Sequence, residues 1–195
     1  EYSYKILVHY GMTGDEKKYN EEYEAYLHYS KEYELEQKAQ LIYTKVMMTV
    51  HYTKRNQQEK ETIIKECLAE IENTTAASKS LVVYFIYIRT LLFYYEILGD
   101  NVKINETCDI FLKHYKNYYT SILSENYLNT IYIYKLKSLF DLRNDADALT
   151  LIQNILPTAK GDSYLAVKEF EIKILLNYIQ KKKKKNVLQQ ILSNT

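Results

Sequence analysis

The chain has 195 residues, with 26 basic and 25 acidic side chains and a net charge of +1, a balance that argues against a general nucleic-acid binder, which carries a clear positive excess. Only 4 glycines and 1 proline stand against 47% hydrophobic residues. That excludes a turn-rich β protein, where both are needed in quantity, and leaves long helices with short connectors around a full core.

Hydrophobic periodicity predicts five helix pairs in chain order. The first is 2–12 with 15–32, joined at Gly14-Asp15, where a glycine stops one helix and an aspartate caps the next. The second is 34–54 with 57–73. Its second helix carries Ile63, Ile64, Cys67, Leu68 and Ile71 as an amphipathic stripe, and Asn73-Thr74-Thr75 is expected to end it. The third is 78–98 with 101–119, joined at Gly99-Asp100. Its first helix is apolar nearly all round, so a buried central position is expected; Arg89, Thr90 and Glu96 in that stretch argue against a membrane span. The fourth is 124–143 with 145–156, with Ser124 as N-cap, Asn144-Asp145 at the turn and Pro157 as the stop. The fifth is 163–181 with 185–193, its turn expected at Lys181–Lys185. Approximate pair boundaries are 1–33, 34–75, 76–121, 122–161 and 162–195, forming a single domain. The first residue is glutamate, so a fragment of a longer protein is expected.

The chain also matches itself. At an offset of 85 residues Gly14-Asp15 overlies Gly99-Asp100, Asn20-Glu21 overlies Asn105-Glu106, and Lys31 and Tyr33 overlie Lys116 and Tyr118. Such self-similarity marks a helical repeat array. The tyrosines, 22 in number with no tryptophan, suit half-buried seams between helices, having a large apolar body and a polar tip.

On Leu91, Tyr95, Gly99-Asp100 and Phe111 in the third pair, on Asn144, Ala148, Ile152 and Pro157 in the fourth, and on Leu7, Tyr10, Gly14-Asp15 and Tyr26 in the first, the chain resembles the tetratricopeptide-repeat superfamily. It departs at Tyr19, Leu92 and Ile104, where that family prefers small residues. The resemblance implies an all-α fold, an α-solenoid of about five antiparallel helix pairs wound into a right-handed superhelix. It also implies that the first helix of each pair lines a concave groove. Carried onto this chain, the groove residues are Lys45, Thr49 and Tyr52, then Arg89, Phe93 and Glu96, then Ile133, Lys137 and Phe140, then Glu169 and Lys173. A basic residue recurs in each set, which suits an extended peptide or helix bearing acidic and apolar side chains.

No catalytic constellation emerges. His9, His28, His51 and His114 form no His-Glu-x-x-His pattern. Glu24 and His28 share a helix face, a common chance pairing. Cys67 and Cys108 read as small core residues, and no glycine-rich phosphate loop exists. Lys181–Lys185 reads first as a solvated turn and only second as a contact for an anionic partner. The resulting expectation is a non-enzymatic protein- or peptide-binding scaffold with no cofactor, no metal, no nucleic-acid contact and no membrane association, the cytoplasm being the favoured compartment. The alternative is a ligand-sensing or regulatory segment of a larger signalling or transcription-regulator protein. Self-association through Tyr19, Tyr23 and Tyr26 is a further expectation.

Overall fold

Four helices begin where the sequence supplies a short acid or amide. Asp15, Asn56, Asp100 and Asn144 accept backbone hydrogen bonds from Lys18 N at 3.2 Å, Glu59 N at 2.9 Å, Lys103 N at 3.0 Å and Asp147 N at 3.4 Å. Each bond satisfies a donor that a helix start leaves open. At Asn56 the arrangement is reciprocal, because Asn56 N donates to Glu59 Oε2 at 3.1 Å, the capping box.

The computed structural model describes residues 2–115 and 122–193, and the side chains of 4–115, 125–180 and 183. All regular structure among them is helical, as expected: α1 Tyr2–Thr13, α2 Glu16–Met47, α3 Gln57–Ala77, α4 Leu81–Leu98, α5 Asn101–Tyr115, α6 Ile122–Asp141, α7 Asp145–Ile155 and α8 Gly161–Ser193. A π-helical turn, Met48–Tyr52, extends α2.

Two expected breaks are absent. Residues 15–32 and 34–54 were expected as two helices, yet α2 runs unbroken through Tyr33-Glu34. The expected turn at Lys181–Lys185 is likewise part of α8. Neither place holds a glycine or proline, and Leu, Glu, Gln, Lys and Ala are all strong helix formers, so nothing there stops propagation. Two smaller shifts follow the same logic. Helix α3 continues past Asn73-Thr74-Thr75 to Ala77, with Thr74 and Thr75 hydroxyls donating to Glu70 O and Ile71 O. Ser124 lies inside α6 and is not its N-cap. The matches to Lys116 and Tyr118, and the apolar face expected of Val187, Leu188, Ile191 and Leu192, lie outside the described side chains.

The turn at Gly99-Asp100 closes by two bonds: Asp100 N donates to Tyr95 O at 3.0 Å and Gly99 N to Glu96 O at 3.1 Å. With Gly99 at φ 68°, this is the Schellman closure of a helix end. Gly14, at φ 72°, has the matching long bond, Asp15 N to Tyr10 O at 3.2 Å. The same pair of bonds recurs at Arg143-Asn144, with Asn144 N to Leu139 O at 2.9 Å and Arg143 N to Phe140 O at 3.0 Å. There the left-handed position, φ 58°, is held by an arginine.

The chain divides into two compact units, residues 1–90 and 91–195; α4 starts in the first and ends in the second. In the first unit, α1 and α3 both pack on α2. Ala39, Ile42 and Val46 of α2 and Ile64, Cys67 and Ile71 of α3 are buried. Each set is spaced i, i+3, i+7, so each helix turns one stripe inward. The Tyr19 ring packs beside Gly11 of α1, and Tyr19 and Tyr23 stack at 6.1 Å. Val83, Phe85, Ile86 and Ile88 of α4 complete the buried set. The segment leading into α4 is held by side chains of α2: Glu32 accepts from Ser78 Oγ at 2.5 Å and from Lys79 N at 3.2 Å, and Glu36 accepts from Ser80 Oγ, while Ser80 Oγ itself accepts from Val82 N at 3.1 Å and caps the helix. Among the described residues, α4 is the one helix long and apolar enough to cross a bilayer, and 39% of it is buried inside the fold.

In the second unit, α5, α7 and α8 each pack on α6, and α7 also packs on α8. Leu136 and Leu139 of α6, Ile152 and Ile155 of α7, and Val167 and Ile174 of α8 form one cluster. Helix α5 adds buried Ile104, Cys108 and Phe111. Side chains of this kind each contribute about 1.5–3 kcal/mol on burial. Tyr43 is buried, but Tyr29, Tyr33, Tyr52 and Tyr178 are exposed, so the seam reading of the tyrosines holds for only some of them.

Candidate functional site

The Schellman closure at Gly99 ends α4 at Leu98, which leaves Glu96 on the last turn of α4 within reach of α6. Lys137 of α6 reaches it, and the Nζ donates to Glu96 Oε1 in a close ion pair. Both side chains stay partly solvated, at 49% and 35% exposure for Lys137 and Glu96, so the pair itself adds little stability, on the order of 0–1 kcal/mol. One turn earlier, Phe93 meets the Tyr134 ring edge-on at 6.3 Å, an arrangement that aromatic quadrupoles favour. Glu96, Lys137 and Tyr134 border a cleft of about 130 Å³ whose walls also include Asn101, Ser138 and Asp141. The cleft offers a cation, carboxylates, an amide and a phenol within one small volume.

A second group of expected groove residues meets farther along α6. Phe140 and Phe170 contact edge-on at 6.1 Å. The Lys173 ammonium lies 5.5 Å from the Phe170 ring centre and 2.6 Å from Glu169 Oε1. Phe170, absent from the expected set, is what links its three members Phe140, Glu169 and Lys173. Ile133 on the same helix is half-buried.

In the first unit the expected residues fall into different roles. Arg89 is enclosed by rings, its guanidinium 4.6 Å from the Tyr43 centroid and 5.6 Å from that of Phe85. Cation–π contacts of this type contribute roughly 0.5–2 kcal/mol. Burial pushes the Tyr43 phenol above its usual pKa, and the charge of Arg89 opposes that shift. Thr49 is buried, and its hydroxyl donates to Lys45 O at 2.8 Å. It sits in the π-helical turn, whose Val50 carbonyl accepts from Lys60 Nζ at 2.9 Å. Lys45 and Tyr52 are exposed. Thr49 and Phe93 are therefore core positions that present no surface to a partner, because a helix face that packs inward cannot also line a groove.

A larger cleft, about 280 Å³, opens among α5, α6 and α7, with Asn105, Asp109, Lys135, Asp147 and Asn154 on its walls. Lys135 and Asp109 pair across it, while Asn105 Oδ1 is buried with no hydrogen-bond donor from the chain. Sequence reasoning missed this cleft. Most of its residues come from the second helices 101–119 and 145–156 of the expected pairs, whereas every groove residue was carried onto first helices; Lys135 sits on a first helix but two residues from the chosen Lys137.

The remaining chemistry is sparse. Cys67 and Cys108 are buried free thiols, and burial pushes the Cys108 pKa up to about 12. Among the described residues no three His, Cys, Asp or Glu side chains gather as a metal site. No family model, curated protein or solved structure matches the chain.

Proposed function

We propose that the chain is a non-enzymatic protein- or peptide-binding scaffold, built as an α-solenoid of successive helical hairpins. One observation carries the reading. Glu96 and Lys137, chosen from separate hairpins as residues of one groove, pair across the cleft between α4 and α6. A peptide backbone offers alternating donors and acceptors, and a half-solvated ion pair with an adjacent amide and phenol can satisfy both. The packing supports the solenoid: chain neighbours pack together in each unit, and α6 also meets α8, as first helices of adjacent hairpins do in a stacked array. The basic residues act differently from a simple acid clamp, since Lys137 and Lys173 already carry carboxylate partners and Arg89 is enclosed by rings.

The test is selection of peptides from a random library on the wild-type chain, followed by titration of the selected peptides against Lys137→Glu and Glu96→Lys. Each variant should weaken binding at least tenfold with circular dichroism unchanged. Selected peptides that bind all three chains equally would remove the cleft from the proposal.

A further inference from the structure

Helix α8 has two apolar faces, and only one is used. Val167, Phe170 and Ile174 turn toward α6 and α7, with Val167 and Ile174 fully buried. About half a turn around the helix, Leu165, Ile172, Leu176 and Ile179 follow one another at intervals of seven, four and three residues. They are 65%, 56%, 53% and 51% exposed. That spacing keeps four large aliphatic side chains on a single line about 21 Å long, taking 1.5 Å per residue. Leu175 flanks it and is exposed as well. Lys168 and Glu169 border the line between Leu165 and Ile172, and from Ile172 to Ile179 it is apolar throughout; an exposed apolar line of this length marks an interaction surface. The line lies on a single helix, because α8 runs unbroken from Gly161 to Ser193.

The charges beside the line select its occupant. Residues 161–172 hold one basic and three acidic side chains: Lys168, Asp162, Glu169 and Glu171. Residues 173–193 hold six lysines and no acid. Two identical helices packed in parallel would set one five-lysine run against the other. Packed antiparallel about Ile172, each run lies along the acidic half of the other copy. Asp162 and Lys182 are then opposite, being equidistant from Ile172, as are Glu171 and Lys173, and Leu165 and Ile179. In this register Leu165 meets Ile179, Ile172 meets its copy, Leu176 lies along the aliphatic stem of Lys168, and the acidic half meets the basic half, the complementarity a twofold interface requires.

We infer that α8 is the dimer interface of this protein, with a second copy of the chain docked antiparallel on Leu165, Ile172, Leu176 and Ile179. The register places Ile172 on the twofold axis.

Sedimentation velocity over a hundredfold concentration range tests it. The wild-type chain should dimerise, and Ile172→Lys with Leu176→Lys should be monomeric at every concentration with unchanged helical content; both positions are exposed, so the monomer keeps its core. A wild-type chain that stays monomeric, or a double variant as dimeric as wild type, overturns the inference. Orientation is read by cysteine pairing, because Cys67 and Cys108 are buried. Under mild oxidation, Leu165→Cys mixed with Ile179→Cys should cross-link, and Leu165→Cys alone should not. The reverse pattern overturns the antiparallel arrangement, as does recruitment of a purely monomeric chain to phosphatidylserine vesicles.

Discussion

The Glu32 carboxylate of α2 takes the Ser78 hydroxyl at 2.5 Å and the Lys79 amide at 3.2 Å, 46 and 47 residues away along the chain. A side chain from the middle of one helix thus anchors the segment that leads into another, together with Glu36 on Ser80. The Ser78 hydrogen bond holds the Glu32 carboxyl below its usual pKa of 4.5, with the Lys79 amide assisting against partial desolvation. A carboxylate whose pKa falls on folding stabilises the protein above the unfolded value and loses that contribution as pH drops through the folded one. Thermal unfolding followed between pH 3 and pH 7 should therefore show a stability loss that begins near pH 4.5. Glu32→Gln should lower stability at pH 7 and flatten that acid limb. An unchanged acid limb in the variant would remove Glu32 from the explanation.

Arg143 sits at φ 58°, where an L side chain places its Cβ against the following carbonyl, at a cost of about 1–2 kcal/mol. Its side chain is exposed. Arg143→Gly should relieve that strain, offset in part by the greater backbone freedom of glycine in the unfolded chain. A net stabilisation of about 0.5–1 kcal/mol is expected in urea titration, with the m-value unchanged. The opposite substitution, Gly99→Arg, should cost about 1 kcal/mol or more.

Burial disfavours the thiolate at both cysteines, most strongly at Cys108, whose pKa stands at about 12. Its folded pKa lies above the unfolded value of 9.0, so the associated stability is complete below pH 9 and is lost as pH rises from there toward 12. At pH 8 neither thiol should react with an aromatic disulfide reagent in the native chain, and both should react within seconds in denaturant. Fast labelling of the native chain would show that the interior opens at these positions.

Phe111 is fully buried on α5 and contacts Tyr115 at 5.7 Å between ring centres. Phe111→Ala should cost about 3–5 kcal/mol, the range for removing a buried aromatic ring and leaving a cavity. Glu96→Ala and Lys137→Ala should each cost under about 1 kcal/mol, since their pair is half-solvated. Chemical denaturation of the three variants separates the structural residue from the pair proposed to bind.

The turns were legible from sequence because their chemistry is local. Gly14-Asp15, Gly99-Asp100 and Asn144-Asp145 announce themselves within a few residues, and all three sites terminate or start helices. The helix count was not legible, because the expected breaks inside α2 and α8 rested on hydrophobic periodicity alone, and no glycine or proline stands at 33–34 or 181–185 to stop a helix. Of the expected groove, Glu96 and Lys137 do meet, which the sequence could indicate because one sits on each of two successive first helices. The enclosure of Arg89 by Tyr43 and Phe85, and the burial of Thr49, depend on how α2 and α4 pack. No pattern within a single helix carries that information.

The same two-bond closure holds Gly99-Asp100 and Arg143-Asn144, although one corner is built on glycine and the other on arginine. Geometry at these corners is thus separable from the letters that encode it. A protein engineer could transplant the four residues around one corner into the other, or splice an extra hairpin between matched corners, and expect the chain to leave each helix along its original path.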